Sequence, residues 1–130
     1  MDKASDGRLL VLVVDDNETN RFVLAQIVEV LGGAVRFAEN GVQAVETGSR
    51  DRFDLVFMDI AMPLMDGIEA TRQLRERGVE TPIIAVTAHM NDNDLPRLME
   101  GGFNDLIPKP ITVDPIAEAL DYAREISAGG

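Results

Sequence analysis

Polar residues that could carry out phosphoryl chemistry stand at or just after the ends of four separate apolar runs in this 130-residue chain: Asp15-Asp16, Asp59, Thr87 and Lys109. In an open parallel sheet, ligands bind beyond the carboxyl ends of the strands, which lie at one edge. A single Asp after a strand is usually a turn or capping residue. Four such positions in one chain predict a shared site instead.

The three acids of this set require a cation if they lie close together. Two carboxylates about 5 Å apart repel each other by roughly 3 kcal/mol at an effective dielectric constant near 20. Lys109 alone cannot balance three such charges. Oxygen ligands favour Mg²⁺, Mn²⁺ or Ca²⁺ over zinc, and Mg²⁺ suits an open site because it keeps several waters.

The two remaining groups are suited to phosphate. The hydroxyl of Thr87 and the ammonium of Lys109 can stabilise negative charge that develops on a phosphoryl group. Asp59 is then the expected nucleophile, forming an acyl phosphate.

Strands and helices are predicted to alternate along the chain and to position these groups. The predicted strands are Leu9–Val14, Ala34–Ala38, Leu55–Met58, Pro82–Val86 and a short segment near Leu106–Ile107. The first helix is expected to begin after an Asn17 N-cap, to bury Val23, Ile27, Val30 and Leu31, and to end at Gly32-Gly33. The pattern predicts an α/β fold with a parallel sheet covered by helices on both faces. We expect one domain over residues 1–130, with its core at about 8–127.

Composition excludes several functions. The formal net charge of −11 disfavours contact with nucleic acid or anionic membranes, and the absence of cysteine excludes thiol chemistry and disulfides. The sequence contains no apolar run long enough to span a membrane and no secretory signal, so a cytoplasmic location is expected. A dinucleotide-binding enzyme is disfavoured because no G-x-G-x-x-G motif follows the first strand.

Four segments in order resemble a response-regulator receiver domain, over Leu9 to about Ser127. They are VVDDNETNR, FMDIAMPLMDGIEATRQLR, PIIAVTAH and IPKPI. The resemblance, closest to receivers of hybrid histidine kinases or single-domain regulators, implies a flavodoxin-like doubly wound sheet. Its five parallel strands would stand in the order 2-1-3-4-5, with five helices.

The resemblance also implies roles for individual residues. Asp59 would be the phosphoacceptor, and the Mg²⁺ site would comprise Asp15, Asp16, Asp59 and the backbone carbonyl of Ala61. Thr87 and Lys109 would contact the phosphoryl oxygens, and the Lys109-Pro110 peptide bond would be cis. The phosphodonor would be a histidine kinase or a histidine phosphotransfer protein, and a further protein would receive the output. Such a domain catalyses only its own phosphorylation and dephosphorylation.

Two positions need separate comment. Leu106 occupies a place where similar domains usually carry the Tyr or Phe of their switch. His89, the one histidine, is interpreted as an exposed loop residue, with an influence on phosphate lifetime as the alternative.

Two other functions stay open at this point: a receiver-like interaction module that is not phosphorylated, and a haloacid-dehalogenase-like phosphatase. The phosphatase is less favoured because the first acids are adjacent rather than in a D-x-D arrangement.

Overall fold

The computed structural model describes residues 7–88 and 94–129, in which strands and helices alternate. The elements are β1 (Leu10–Val14), α1 (Glu18–Val30), β2 (Ala34–Ala38), α2 (Gly41–Arg50), β3 (Leu55–Asp59), α3 (Gly67–Glu76), β4 (Ile83–Thr87), α4 (Asp94–Glu100), β5 (Asp105–Pro108) and α5 (Val113–Gly129). Every predicted strand and helix within these ranges is present. His89 lies outside the described residues.

The strands form one parallel sheet in the order β2-β1-β3-β4-β5, which confirms the predicted fold. The chain runs outward from β1 to β2 and then returns to β3 on the other side of β1. The order therefore reverses between β1 and β3. In this class of sheet, the reversal opens a crevice at the carboxyl ends of those two strands.

Both faces of the sheet are covered by helices, and this explains the unbroken apolar runs. Leu12 and Val14 of β1 face a cluster that includes residues of α2, α3 and α4. Val11 and Val13 face the opposite cluster, formed with α1 and α5. All five residues of β1 are buried, as are all five of β3. A strand buried on both faces needs apolar residues at every position, so the alternation typical of half-exposed strands is absent.

The buried face of α1 differs in part from the prediction. Leu24, Ala25 and Val28 are the buried residues, whereas Val23 and Val30 are 42% and 86% exposed. Nearly every residue from 22 to 31 is apolar, so helical periodicity alone does not determine which stripe faces inward. Packing against the sheet and α5 selects the stripe.

Asparagine and aspartate caps start the helices that follow β1, β2 and the loop after β3. The side chains of Asn17, Asn40 and Asp66 each accept a hydrogen bond from the backbone N–H three residues later, at 2.8–2.9 Å. Such caps satisfy amide groups that the helix itself leaves unpaired. The helices can therefore begin within a few residues of the carboxyl edge of the sheet.

At the opposite edge, Arg75 ties the end of α3 to the segments that enter β4 and β5. Its guanidinium donates to the carbonyl oxygens of Gly102, Val79 and Thr81 at 2.7–3.0 Å. It also donates to Oδ1 of Asn104 at 2.9 Å, and that oxygen accepts from the backbone N–H of Ile83 as well. Burial lowers the pKa of Arg75 below its usual value, with Glu80 opposing the shift.

We expect Arg75→Met to reduce the free energy of unfolding by about 2–4 kcal/mol, because it leaves several half-buried carbonyl groups without donors. Urea denaturation followed by circular dichroism would measure the change. Arg72→Met is the matched control, since Arg72 lies on the same helix and pairs in solvent with Glu69 and Glu76. The control should stay close to wild type. Equal losses in the two variants would contradict the role assigned to Arg75.

Candidate functional site

Three carboxylates converge at the crevice between β1 and β3. Asp15 follows β1 directly, Asp16 is its neighbour, and Asp59 is the last residue of β3. Each offers a carboxylate oxygen, and these oxygens lie within 4.8 Å of one another. Asp15 and Asp59 are each only 4% exposed, whereas Asp16 is exposed. The cluster therefore has two buried carboxylates and one that is open to solvent.

Lys109 supplies a positive charge beside the two buried acids of this cluster. Its Nζ lies 3.3 Å from Oδ2 of Asp15 and 3.4 Å from Oδ1 of Asp59. The pKa of Asp59 is nevertheless raised from 3.8 to about 6. Burial is the main cause, the neighbouring charge of Asp15 adds to it, and Lys109 opposes it. One ammonium does not compensate for the three acids.

Asp15 is held through all of its polar atoms. Its backbone N–H donates to the carbonyl of Ala38 at 3.2 Å, which continues the pairing of β1 with β2. Its Oδ1 accepts from the backbone N–H of Asn17 at 2.9 Å, and its Oδ2 faces Lys109. Its backbone carbonyl accepts from Nη1 of Arg21 at 2.7 Å. The sequence analysis gave Arg21 no role; its only sequence signal was a cationic residue one helical turn after the Asn17 cap.

Thr87 lies at the same edge of the sheet. It ends β4, and the preceding residue, Val86, pairs with Asp59 of β3. The backbone carbonyl of Thr87 accepts from the backbone N–H of Lys109 at 2.8 Å, so these two predicted site residues are directly joined. The Lys109-Pro110 peptide bond is cis, as the resemblance implied.

The loop between β3 and α3, which contains the exposed Ala61, is pressed against neighbouring backbone. A Cβ atom on Gly67 would lie 2.1 Å from the carbonyl oxygen of Asp59, and one on Gly41 would lie 2.3 Å from that of Met65. Only glycine permits both approaches. Within the loop, Leu64 has a φ of +70° and is spanned by a hydrogen bond from Met65 N to Pro63 O. This γ-turn places backbone strain in the loop that follows Asp59.

Leu106 is half-buried in β5, where it pairs with Ala85 of β4 and packs against the cluster that contains α2, α3 and α4. Its place in β5 is three residues before Lys109. An aliphatic side chain offers neither a ring nor a hydroxyl at this position.

The arrangement fits a divalent cation. Three carboxylates against one lysine leave an excess of two negative charges in a largely buried site, and burial together with the charge of Asp15 raises the pKa of Asp59. The donors are all oxygen atoms, which suits a hard ion such as Mg²⁺. Asp16 is exposed, so an ion that keeps some of its waters can reach the cluster.

Comparisons with known proteins agree with this geometry. A family model, the response regulator receiver domain, matches residues 11–121. Two-component response regulator 24 of Arabidopsis thaliana is 37% identical over 117 residues, which cover 89% of this chain and 84% of that protein. The sensor histidine kinase RcsC of Salmonella typhi is 35% identical over 128 residues, which cover 96% of this chain but only 14% of the kinase.

Solved structures share the fold. The receiver domain of the sensor histidine kinase PA1611 from Pseudomonas aeruginosa PAO1 has a TM-score of 0.80 and 34% identity, over 89% of this chain and 97% of that one. That structure has a magnesium ion coordinated in its active-site cleft. The receiver domain of Francisella response regulator 1452 has a TM-score of 0.87, over 92% of this chain and 99% of that one. At 23% identity it supports the fold alone.

A family match across most of the chain, the strand order and the acid cluster at the β1–β3 crevice lead to one conclusion: this chain belongs to the response regulator receiver domain family of two-component signalling systems.

Proposed function

We propose that Asp59 accepts a phosphoryl group from a phosphohistidine, in a reaction that requires Mg²⁺. The observation that carries this proposal is the position of Asp59. Its buried carboxylate stands at the switch point of the sheet, with Lys109 at 3.4 Å and two further acids beside it. A carboxylate so placed can attack a phosphorus atom that approaches through the exposed side of the cluster.

The transfer exchanges one bond at phosphorus for another. An oxygen of Asp59 forms a bond to phosphorus, the bond from phosphorus to the imidazole nitrogen breaks, and the imidazole leaves with that electron pair. Lys109 stands close enough to Asp59 to pair with a phosphoryl oxygen once the acyl phosphate has formed. The hydroxyl of Thr87 would donate to another of these oxygens.

The metal site would consist of Asp15, Asp16, Asp59 and the backbone carbonyl of Ala61. The ion, when bound, would offset the charge of the acids and of the phosphoryl oxygens. Asp16 is the one exposed acid among these ligands. Asp15 already has all its polar atoms engaged by protein groups, so its main contribution is negative charge and the placement of Asp16.

Phosphorylation would change the partner-binding surface through β4 and β5. The phosphoryl group adds about −1.5 to −2 charges. Thr87 and Lys109 would both respond, and they are joined by a backbone hydrogen bond of 2.8 Å. Leu106 lacks the ring that usually takes part in this change, so we propose that displacement of Thr87 transmits it.

The partners follow from the same chemistry. The donor would be a histidine kinase or a histidine phosphotransfer protein, and the output would go to a protein partner in the cytoplasm. Relatives include both a sensor kinase and a response regulator, so both settings are represented. Among the described residues, no helix is both long enough and apolar enough to cross a membrane.

We expect acetyl phosphate with Mg²⁺ to add one phosphoryl group to the protein, and hydroxylamine to remove it, because an acyl phosphate is attacked by that nucleophile. Mass spectrometry of the intact protein would measure the adduct. Asp59→Asn should give no adduct, whereas Asp121→Asn, which changes an exposed acid on α5, should behave as wild type. An equal adduct on Asp59→Asn would refute the assignment.

Asp59→Asn should also stabilise the metal-free protein at pH 8, on the order of 1–3 kcal/mol. The pKa of Asp59 is raised to about 6 in the folded protein, so the folded state holds this proton more tightly than the unfolded state. Wild-type stability therefore falls as the pH rises from about 4 to about 6 and stays lowered above that range, whereas the asparagine variant lacks this loss.

Thermal unfolding in EDTA at pH 4, 6 and 8 would measure the difference, and Asp121→Asn again serves as control. Excess Mg²⁺ should stabilise wild type and reduce the advantage of Asp59→Asn. A difference that does not depend on pH would count against the electrostatic explanation.

A further inference from the structure

Arg21, the fourth residue of α1, reaches back to the end of β1. Its Nη1 donates to the backbone carbonyl of Asp15 at 2.7 Å, and its Nη2 lies 3.6 Å from Oε1 of Glu39. The side chain of Arg21 is 13% exposed, whereas that of Glu39 is 62% exposed. A short charge-assisted bond out of solvent is stronger than a longer ion pair at the surface. The carbonyl contact therefore holds the guanidinium in place.

The carbonyl that Arg21 holds belongs to the peptide unit between Asp15 and Asp16. A peptide unit is planar, so fixing its oxygen also fixes the direction of the Asp16 N–H and the start of the Asp16 backbone. The side chain of Asp16 departs from that point. Arg21 thus fixes the peptide plane from which the exposed acid of the cluster departs.

The other polar atoms of Asp15 are held by other groups, so Arg21 acts on the backbone carbonyl alone. The backbone N–H and both carboxylate oxygens of Asp15 contact Ala38, Asn17 and Lys109. Those contacts fix the Asp15 side chain and the entry of the chain into the turn. The contact from Arg21 fixes the exit of the chain toward Asp16.

We propose that Arg21 is a positioning residue for the metal site, which holds the Asp15–Asp16 peptide so that the Asp16 carboxylate is directed toward Mg²⁺. The inference rests on the proposed function, because it takes these acids to be the ligands. The charge of Arg21 acts in the opposite direction, since a nearby cation repels Mg²⁺. Glu39 at 3.6 Å offsets part of that charge, and we expect orientation to dominate.

We expect Arg21→Met to raise the dissociation constant for Mg²⁺ about tenfold, the loss typical when a group that orients a metal ligand is removed. The dissociation constant of Arg21→Lys should lie between those of wild type and Arg21→Met, because an ammonium can restore a single donor to the Asp15 carbonyl. Isothermal titration with MgCl₂ would measure all three proteins. Arg36→Met is the matched control, since it removes the same charge from an exposed side chain on β2, and it should stay within about twofold of wild type.

Two outcomes would overturn the proposal. If Arg21→Met and Arg36→Met bind Mg²⁺ with equal affinity, the contact from Arg21 only stabilises the fold. A lower unfolding temperature of Arg21→Met in EDTA would not change that conclusion. Tighter Mg²⁺ binding in Arg21→Met would show that charge dominates orientation. If Arg21→Met does not fold, the comparison of Arg21→Lys with Arg36→Met decides the question in the same way.

A kinetic measurement separates this inference from the proposed function. With acetyl phosphate, Arg21→Met should need more Mg²⁺ for half of its maximal labelling rate, while the maximal rate stays near that of wild type. If wild type binds Mg²⁺ but takes no phosphoryl group, the proposed function fails, and the Mg²⁺ titration of the variants decides the inference on Arg21 by itself. If wild type is labelled and the Mg²⁺ requirement of Arg21→Met is unchanged, the inference fails and the proposed function stands.

Discussion

The mutual repulsion of three carboxylates at the β1–β3 crevice is the constraint on which the rest of this site depends. Their oxygens lie within 4.8 Å of one another, and Lys109 contacts only two of the three acids. Each pair of charges at about that separation costs a few kcal/mol at an effective dielectric constant near 20. Burial is the main reason that the pKa of Asp59 is raised, and the repulsion from Asp15 adds to it. The repulsion favours any ligand that brings positive charge.

The fold tolerates this repulsion because the surrounding backbone is held independently of the acids. The strands that carry Asp15 and Asp59 are buried on both faces, and burial of apolar surface supplies the main stabilisation. Asn17 and Asp66 cap the helices that follow, and Gly67 lets α3 begin against the carbonyl of Asp59. The backbone that carries the acids therefore cannot shift without disturbing capped helices and paired strands.

Buried charge is compensated by hydrogen bonds at one edge of the sheet and left in excess at the other. At the amino ends of β4 and β5, the guanidinium of Arg75 is surrounded by carbonyl and amide oxygens that accept its hydrogen bonds. At the carboxyl ends, the acids outnumber the neighbouring cation. The guanidinium of Arg75, with its hydrogen bonds satisfied, stabilises the connection of three segments. The acid cluster, whose charge is not balanced, favours the binding of a cation. Departures from local satisfaction of this kind are typical of functional sites.

Much of the fold could be predicted from the sequence, because its signals are local. The apolar runs at β1, β3 and β4 mark strands buried on both faces, and the acids at their ends place the cluster at one edge. The Asn17 cap also follows from residue type and position. The order in which the strands lie is different: apolar runs and caps are compatible with several orders, so the order 2-1-3-4-5 came from resemblance and is confirmed by the pairing of the strands.

The tertiary structure alone decided the features that depend on contacts between distant segments. The buried stripe of α1 was selected by the sheet and α5, because the part of this helix from residue 22 onward is mostly apolar and has no unique face in its sequence. Arg75 and Gly102 are 27 residues apart, and no local pattern relates them. The bond from Arg21 to the Asp15 carbonyl spans only six residues, but it involves a backbone atom, which every residue type possesses, so residue types do not reveal it. Residue types along the chain determined which groups can do chemistry here, and chain packing determined which groups hold them in place.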